Sequence, residues 1–428
     1  MKRLLIVSPH FPPVNAPDYH RVRMSLPFYR EFGWEPHVLA VRAEDQDEPR
    51  DETLLETIPS DIEITRVRAL RPSALRSIGI GNVALRAWRQ LQKAGDRIIR
   101  RERTDLVFFS TTMFFSMPIG RIWSGRHGVP YVLDLQDPWF TTYYDDKPAA
   151  DRPPKQRLAN ALHRRLERWT MRRAAGVMTV SAAYADALVR RYPWMTRETF
   201  DTIPFGAASR DFEIARRQRA PAEPPAAAGR TAVYVGRGGP DMATAARILF
   251  RGLTDGAGRV RIAPDVSLRF IGTDYAADGA GRKSIDPVAA EEGLGARVTE
   301  TTARQPYLDA LRALMDATFL VLIGSDDPGY SASKVYPYLL AGKPILAVVH
   351  RDSALVDVLE RTGAAVVVTF AGRDDVDEPA ARLRGVWPEL LARIDRDPAT
   401  NWEAVQAFTA PHLTRRQCRM FDRAVARR

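Results

Sequence analysis

The stretch Leu322-Ile323-Gly324-Ser325-Asp326-Asp327-Pro328-Gly329-Tyr330-Ser331-Ala332-Ser333-Lys334-Val335-Tyr336-Pro337-Tyr338-Leu339-Leu340-Ala341-Gly342-Lys343-Pro344-Ile345-Leu346-Ala347 changes character three times. An apolar run from Ala317 to Ile323 empties into a small, polar loop. A short helix follows, with Ser333 and Lys334 in its first turn, and Gly342-Lys343-Pro344 ends it ahead of a second apolar run, Pro344 to Val349. Continuous apolar strands joined through a helix belong to a parallel sheet covered on both faces.

The same alternation extends outward in both directions. Ala232 to Gly236, Val266 to Gly272 and Ala364 to Phe370 supply further strands of one sheet. Upstream, Leu4 to Ser8, His37 to Val41, Ile62 to Val67, Leu106 to Ser110, Tyr131 to Leu135 and Val177 to Val180 supply another. Ile80 to Ile99 is the clearest helix: Ile80, Val83, Ala84, Ala87, Trp88, Leu91, Ala94 and Ile98 follow the 3.6 period. Arg86, Arg89, Lys93, Arg97 and Arg100 form a basic stripe beside them. The Pro/Ala-rich text RRQRAPAEPPAAAGR, ending at Arg230, reads as a linker. The expected plan is therefore an α/β chain with an N-terminal domain over 1–210, a linker over 211–230 and a C-terminal domain over 231–410. A basic helical tail over 411–428 is expected to pack back on the first domain.

At 428 residues the chain exceeds what one core usually organises. One cysteine, Cys418, excludes a disulfide framework or a multi-cysteine zinc site and points to a reducing compartment. The opening apolar run is too short for a signal peptide, and no stretch approaches the ~20 apolar residues of a membrane span. The formal charge of +11 is local: Arg66 to Arg103 holds eleven Lys/Arg against two acids, and Arg152 to Arg173 eight against one. Such patches suit an anionic membrane surface. They carry no known reading motif, so nucleic acid is not an expected partner. Neither G-x-G-x-x-G nor G-x-x-x-x-G-K-[ST] occurs, which removes the usual support for dinucleotide oxidoreduction and P-loop phosphoryl transfer.

In doubly wound sheets, ligands bind outside the carboxyl ends of strands, so residues there are the candidates. After the first strand, a Pro-stiffened loop enters a helix bearing His20, Arg21 and Arg23, expected on an acceptor. In Asp134-Leu135-Gln136-Asp137-Pro138-Trp139, proline stops the strand and projects Asp137, as orienting group or base, with Trp139 beside it. In Val235-Gly236-Arg237-Gly238-Gly239-Pro240, glycines admit a ligand to the backbone and Arg237 can fork onto phosphate oxygens. The opening stretch adds Asp327, Tyr330, Ser331, Ser333, Lys334 and Tyr336, and Gly272 closes its own strand beside them. A lysine and hydroxyls at a helix start suit a diphosphate.

The Ser333 to Ala347 segment resembles the donor-binding region of GT-B glycosyltransferases, especially the retaining family 4 type. Tyr131 to Trp139, Ala174 to Ser181, Thr202-Ile203-Pro204-Phe205-Gly206 and Gly236-Arg237 line up with further passages in order. The resemblance implies two Rossmann-like domains facing across a cleft and transfer of a sugar from a nucleotide-sugar to a glycan or lipid-linked acceptor in cell-surface polysaccharide or glycoconjugate synthesis. It implies retention, no metal and no cofactor, with Asp137, Arg237 and Lys334 in catalytic roles. Gly329 and Pro337 stand where the family has two glutamates, and Met242 stands where it has a lysine. Those departures leave a non-catalytic nucleotide-sugar-binding protein or an epimerase as alternatives. The expected location is cytoplasmic, peripheral on the inner face of the membrane through 66–103 and 152–173.

Overall fold

The computed structural model describes residues 1–71, 81–139, 156–218, 229–254, 265–274, 281–330, 332–394 and 400–427. The chain folds into two compact units, Met1–Phe205 with Ala410–Arg428, and Gly206–Thr409.

The first unit is built on β1 (Lys2–Val7), β2 (Trp34–Val41), β3 (Glu63–Val67), β4 (Leu106–Ser110), β5 (Tyr131–Leu135), β6 (Gly176–Thr179) and β7 (Phe200–Thr202). All pairs are parallel, in the order β3-β2-β1-β4-β5-β6-β7. β4 and β5 are buried at every position, which is why they read as unbroken apolar runs. The helix Val83–Glu102 starts at Asn82, whose side chain accepts from the Ala84 and Leu85 amides, and buries Val83, Ala87, Leu91, Ala94 and Ile98. Gly95 on that helix lies against Trp123. A Cβ there would fall 2.0 Å from the indole, so only glycine permits this approach. Arg86 departs from the expected basic stripe: it is buried, and its guanidinium donates to the carbonyls of Asp45, Leu70 and Gly81. Burial is tolerated because those acceptors replace water.

The last helix, Ala410–Ala426, belongs to this unit. Phe421 packs at 4.9 Å from the Phe108 ring and 5.5 Å from Trp34. Gln417 accepts from Tyr29 Oη at 2.8 Å and donates to Ser25 Oγ at 2.9 Å. Cys418 is buried on the same helix.

The second unit holds β8 (Arg230–Val235), β9 (Val266–Ile271), β10 (Val298–Thr301), β11 (Phe319–Ile323), β12 (Ile345–His350) and β13 (Ala365–Phe370). They too are parallel, in the order β10-β9-β8-β11-β12-β13. The expected linker is corrected at its start. Ser209–Arg217 is a helix of this unit, with Phe212 and Ala215 buried and Asp211 accepting from Tyr307 Oη at 2.9 Å. Residues 219–228 of the linker lie outside the described residues.

Counted from its first strand, each sheet has the strand order of a doubly wound nucleotide-binding fold. The order reverses between β1 and β4 in one unit and between β8 and β11 in the other, and the carboxyl ends of those strands are where such folds take ligands. Among the described residues, no helix is long and apolar enough to cross a membrane.

Candidate functional site

In the second unit, Gly236 to Gly239 fold over the end of β9. The amides of Gly236 and Gly238 donate to the carbonyls of Ile271 at 3.0 Å and Thr273 at 2.7 Å, and the Gly239 amide donates to Ser284 Oγ at 3.1 Å. Gly236 has φ +148°, and a Cβ there would lie 3.0 Å from Lys334 Nζ. Lys334 immediately precedes the helix Val335–Ala341. Its ammonium donates to Tyr234 Oη and stands 4.2 Å from that ring's centroid. Burial, and then the charge of Arg237, hold the Lys334 amine well below its ordinary range, against the opposing pull of Asp241. Tyr338 Oη fixes the end of β8 by accepting from the Val235 amide at 2.6 Å and donating to the Val235 carbonyl at 3.1 Å.

Arg237 is already engaged. Its guanidinium forks onto Asp241 at 3.0 and 2.6 Å and lies 4.8 Å from the centroid of Tyr330. Asp326 pairs with Arg373, and Asp327 Oδ1 accepts from the Gly329 amide at 2.8 Å, closing a local turn. Asp327, expected on the donor, is exposed and takes part in this turn through one of its oxygens. Tyr336 is corrected to a core residue, 5% exposed with its ring 5.2 Å from Phe408. Ser333 is exposed, Gly272 has φ +73° with open space beside it, and Ser331 lies outside the described residues.

Sequence reasoning passed over Glu300. This buried carboxylate at the end of β10 accepts from Thr273 Oγ1 at 2.6 Å and from the Ser284, Ile285 and Asp286 amides at 3.0, 3.0 and 2.9 Å. Thr273 and Ser284 are the residues on which the Gly238 and Gly239 amides rest. One acid thus holds the support of the glycine loop.

In the first unit, the end of β1 meets the ends of β4 and β5. Asp18 is buried and accepts from Thr111 Oγ1 at 2.6 Å and the Thr112 amide at 3.1 Å, while His10 Nδ1 lies 2.8 Å away. Glu48 stands 3.4 Å from His10 Nε2. Burial alone would lower the His10 imidazole, but the charge and hydrogen bond of Asp18, then Glu48, outweigh it and carry it to about 10. Gln136 donates to the Asp18 carbonyl, Ser110 Oγ and Asp134.

Of the residues expected on an acceptor, three are buried with protein partners. Arg21 is buried, with Nε 2.8 Å from Asp134 Oδ2 and its remaining nitrogens donating to the Ile203 and Pro204 carbonyls. Arg23 is fully buried against His20 Nδ1. Trp139 is stacked on Phe114 at 5.4 Å and donates to His163 Nδ1. Each has protein partners where the reading expected a ligand. His20 is partly exposed and Asp137 exposed, so both keep an open edge. The surrounding protein, and then the Asp18 carboxylate, raise the Asp137 carboxyl above its usual range, to an extent its exposure limits.

Two doubly wound units of this kind make the GT-B fold. Full-length similarity extends to sucrose-phosphate synthase from Thermosynechococcus elongatus, with a TM-score of 0.62 and 17% identity over 100% of both chains. It extends also to Anabaena HepE in complex with UDP and glucose, with a TM-score of 0.61 and 16% identity over 99% of this chain and 100% of that one. A glycosyltransferase from Rickettsia africae matches with a TM-score of 0.58 and 12% identity over 99% and 98%. No curated protein matches the sequence. Residues 21–206 match the family model of the glycosyl transferase 4-like domain. The chain thus has the GT-B fold, and its residues 21–206 are similar to that glycosyl transferase domain.

Proposed function

We propose that this protein transfers a sugar from a nucleotide diphosphate sugar to a glycan or lipid-linked acceptor, with retention and without a metal. The observation that carries the donor assignment is Lys334: a partly buried ammonium held by Tyr234 over Gly236, where the strand order of the second sheet reverses. Such a cation, in no ion pair among the described residues, is suited to a ligand bearing negative charge. As the anomeric carbon–oxygen bond breaks, charge grows on the departing diphosphate, and a preoriented ammonium stabilises it most in the transition state. The new bond forms from the acceptor oxygen, whose proton passes to a donor phosphate oxygen. Arg237 takes the lesser share because Asp241 already neutralises it. His20, partly exposed, and Asp137, exposed, would contact the acceptor.

Lys334→Ala should lower kcat/KM by about 10²–10³-fold, the range for removing one transition-state donor, while the melting temperature holds. Near-normal turnover in that variant overturns the donor assignment. Thermal shifts against nucleotide-sugars identify the donor, because a ligand that binds only the folded chain raises its melting point. UDP-sugars head that panel, since HepE, of the same fold, was solved with UDP and glucose.

A second reading, binding without transfer, is favoured by one feature: Gly329 and Pro337 bring no carboxylate where the family has two, and Asp326 and Asp327 are engaged with Arg373 and Gly329. Release of nucleotide diphosphate from a donor that shifts the melting point decides between the two.

A further inference from the structure

We infer that the exposed face of the helix Gln156–Met171, together with Trp194, is a seat for an anionic phospholipid surface. Three of the eight large hydrophobic side chains exposed among the described residues lie here: Leu162 at 49%, Trp169 at 39% and Trp194 at 42%. Leu162 and Trp169, two helical turns apart, share a side of the helix. Arginines surround them. Arg121 lies 4.5 Å from the centroid of Trp169, and Arg168 and Arg172 each lie 5.3 Å from that of Trp194. Arg164, Arg165 and Arg173 are exposed on the same segment. Its one acid over 156–173, Glu167, is buried and hydrogen-bonded to Arg191 and Tyr192, and of the exposed arginines on this helix it acts on Arg164.

Trp169 lies between Arg168 and Arg172 in the sequence. The fold presents it outward and brings Trp194 in from beyond the next helix, to lie under two arginines. A solvated basic helix needs no exposed indoles. Indoles beside guanidinium groups match the membrane boundary, where aromatic rings settle at headgroup depth and cations meet lipid phosphate. The other basic helix, Val83–Glu102, lacks this combination: Leu85 is its one exposed large hydrophobic, and Arg86 is inside. The proposed membrane contact thus concentrates on residues 156–194. This deepens the proposed function and rests on it for the acceptor, which would be lipid-linked.

The test is flotation of the full chain with vesicles of phosphatidylcholine alone and of phosphatidylcholine with phosphatidylglycerol. The bound fraction should rise several-fold with the anionic lipid and fall in high salt. Arg165→Gln with Arg168→Gln should weaken binding by about five-fold per site, from roughly 1 kcal/mol per cation near such a surface. Trp169→Ala with Trp194→Ala should remove the part that survives salt. Both pairs should keep donor turnover on a water-soluble acceptor. Equal partition of the wild-type chain on the two vesicles, or retention by soluble RNA with none by vesicles, overturns the inference. Its failure is distinct from that of the proposed reaction: turnover without vesicle binding rejects the seat alone, and vesicle binding without nucleotide release rejects the reaction alone.

Discussion

The side chain of Lys334 runs so close over Gly236 that a methyl group there would meet Nζ at 3.0 Å and Cδ and Cε at 3.1 Å. The φ of +148° adds backbone strain for any side chain at that position. Gly236→Ala should therefore displace Lys334 and lose about tenfold or more in kcat/KM for the donor, equivalent to ~1.4 kcal/mol. Steady-state kinetics with varied donor measure it. Unchanged kcat/KM would show that the placement of this lysine is irrelevant to the reaction.

Glu300 touches the glycine loop only through Thr273 and Ser284, so its removal should act on positioning. In Glu300→Gln one carboxylate oxygen becomes an NH2 that cannot accept, and the buried donors it faces, left unpaired, should cost about 1–3 kcal/mol, read as a lower melting temperature. The donor KM should rise with kcat changed little, because the loop loosens while Lys334 remains. A purely structural residue would lower the melting temperature without moving KM.

How much of this was visible in the sequence follows from which contacts are local. β4, β5, β11 and β12 were legible because burial on both faces makes them continuous apolar runs. β7 and β10 were not, being short edge strands with only one pairing partner and mixed residues such as Val298-Thr299-Glu300-Thr301. Lys334 and Arg237 stood out as candidates because they follow strand ends. Glu300 did not because its partners come from two other segments, and the burial of Arg21 was not legible because its carboxylate, Asp134, lies on a distant strand. Charge in a sequence does not say whether water or a buried carbonyl will meet it, as Arg86 shows.

The depressed Lys334 amine gives a signed pH dependence. Only the ammonium attracts a diphosphate, and its proton is lost at a lower pH than that of an ordinary lysine. Donor KM should therefore climb on the alkaline side before free lysines titrate. Lys334→Arg, which stays charged, should move that limb upward even if its kcat is reduced. An alkaline limb identical in wild type and Lys334→Arg would assign it to another group.

His10 predicts a second pH effect, on stability and in the first unit. Its imidazole is carried from 6.5 to about 10 in the fold, through Asp18 and Glu48 against the cost of burial. The folded state therefore holds a proton that the unfolded chain has given up between those values, and stability falls as pH rises wherever the folded state binds more protons. The contribution is complete below pH 6.5, declines through the interval and is gone once pH passes about 10. Lys334, bound less tightly to its proton when folded, contributes with the opposite sign on the alkaline side, so the wild-type curve alone mixes the two. His10→Gln removes the imidazolium and leaves Lys334 in place. Melting temperature measured across this range should fall more steeply in wild type than in His10→Gln, with the gap between them closing near pH 10. Parallel curves would mean that His10 is neutral in the fold and that Asp18 is held by Thr111 and Thr112 alone.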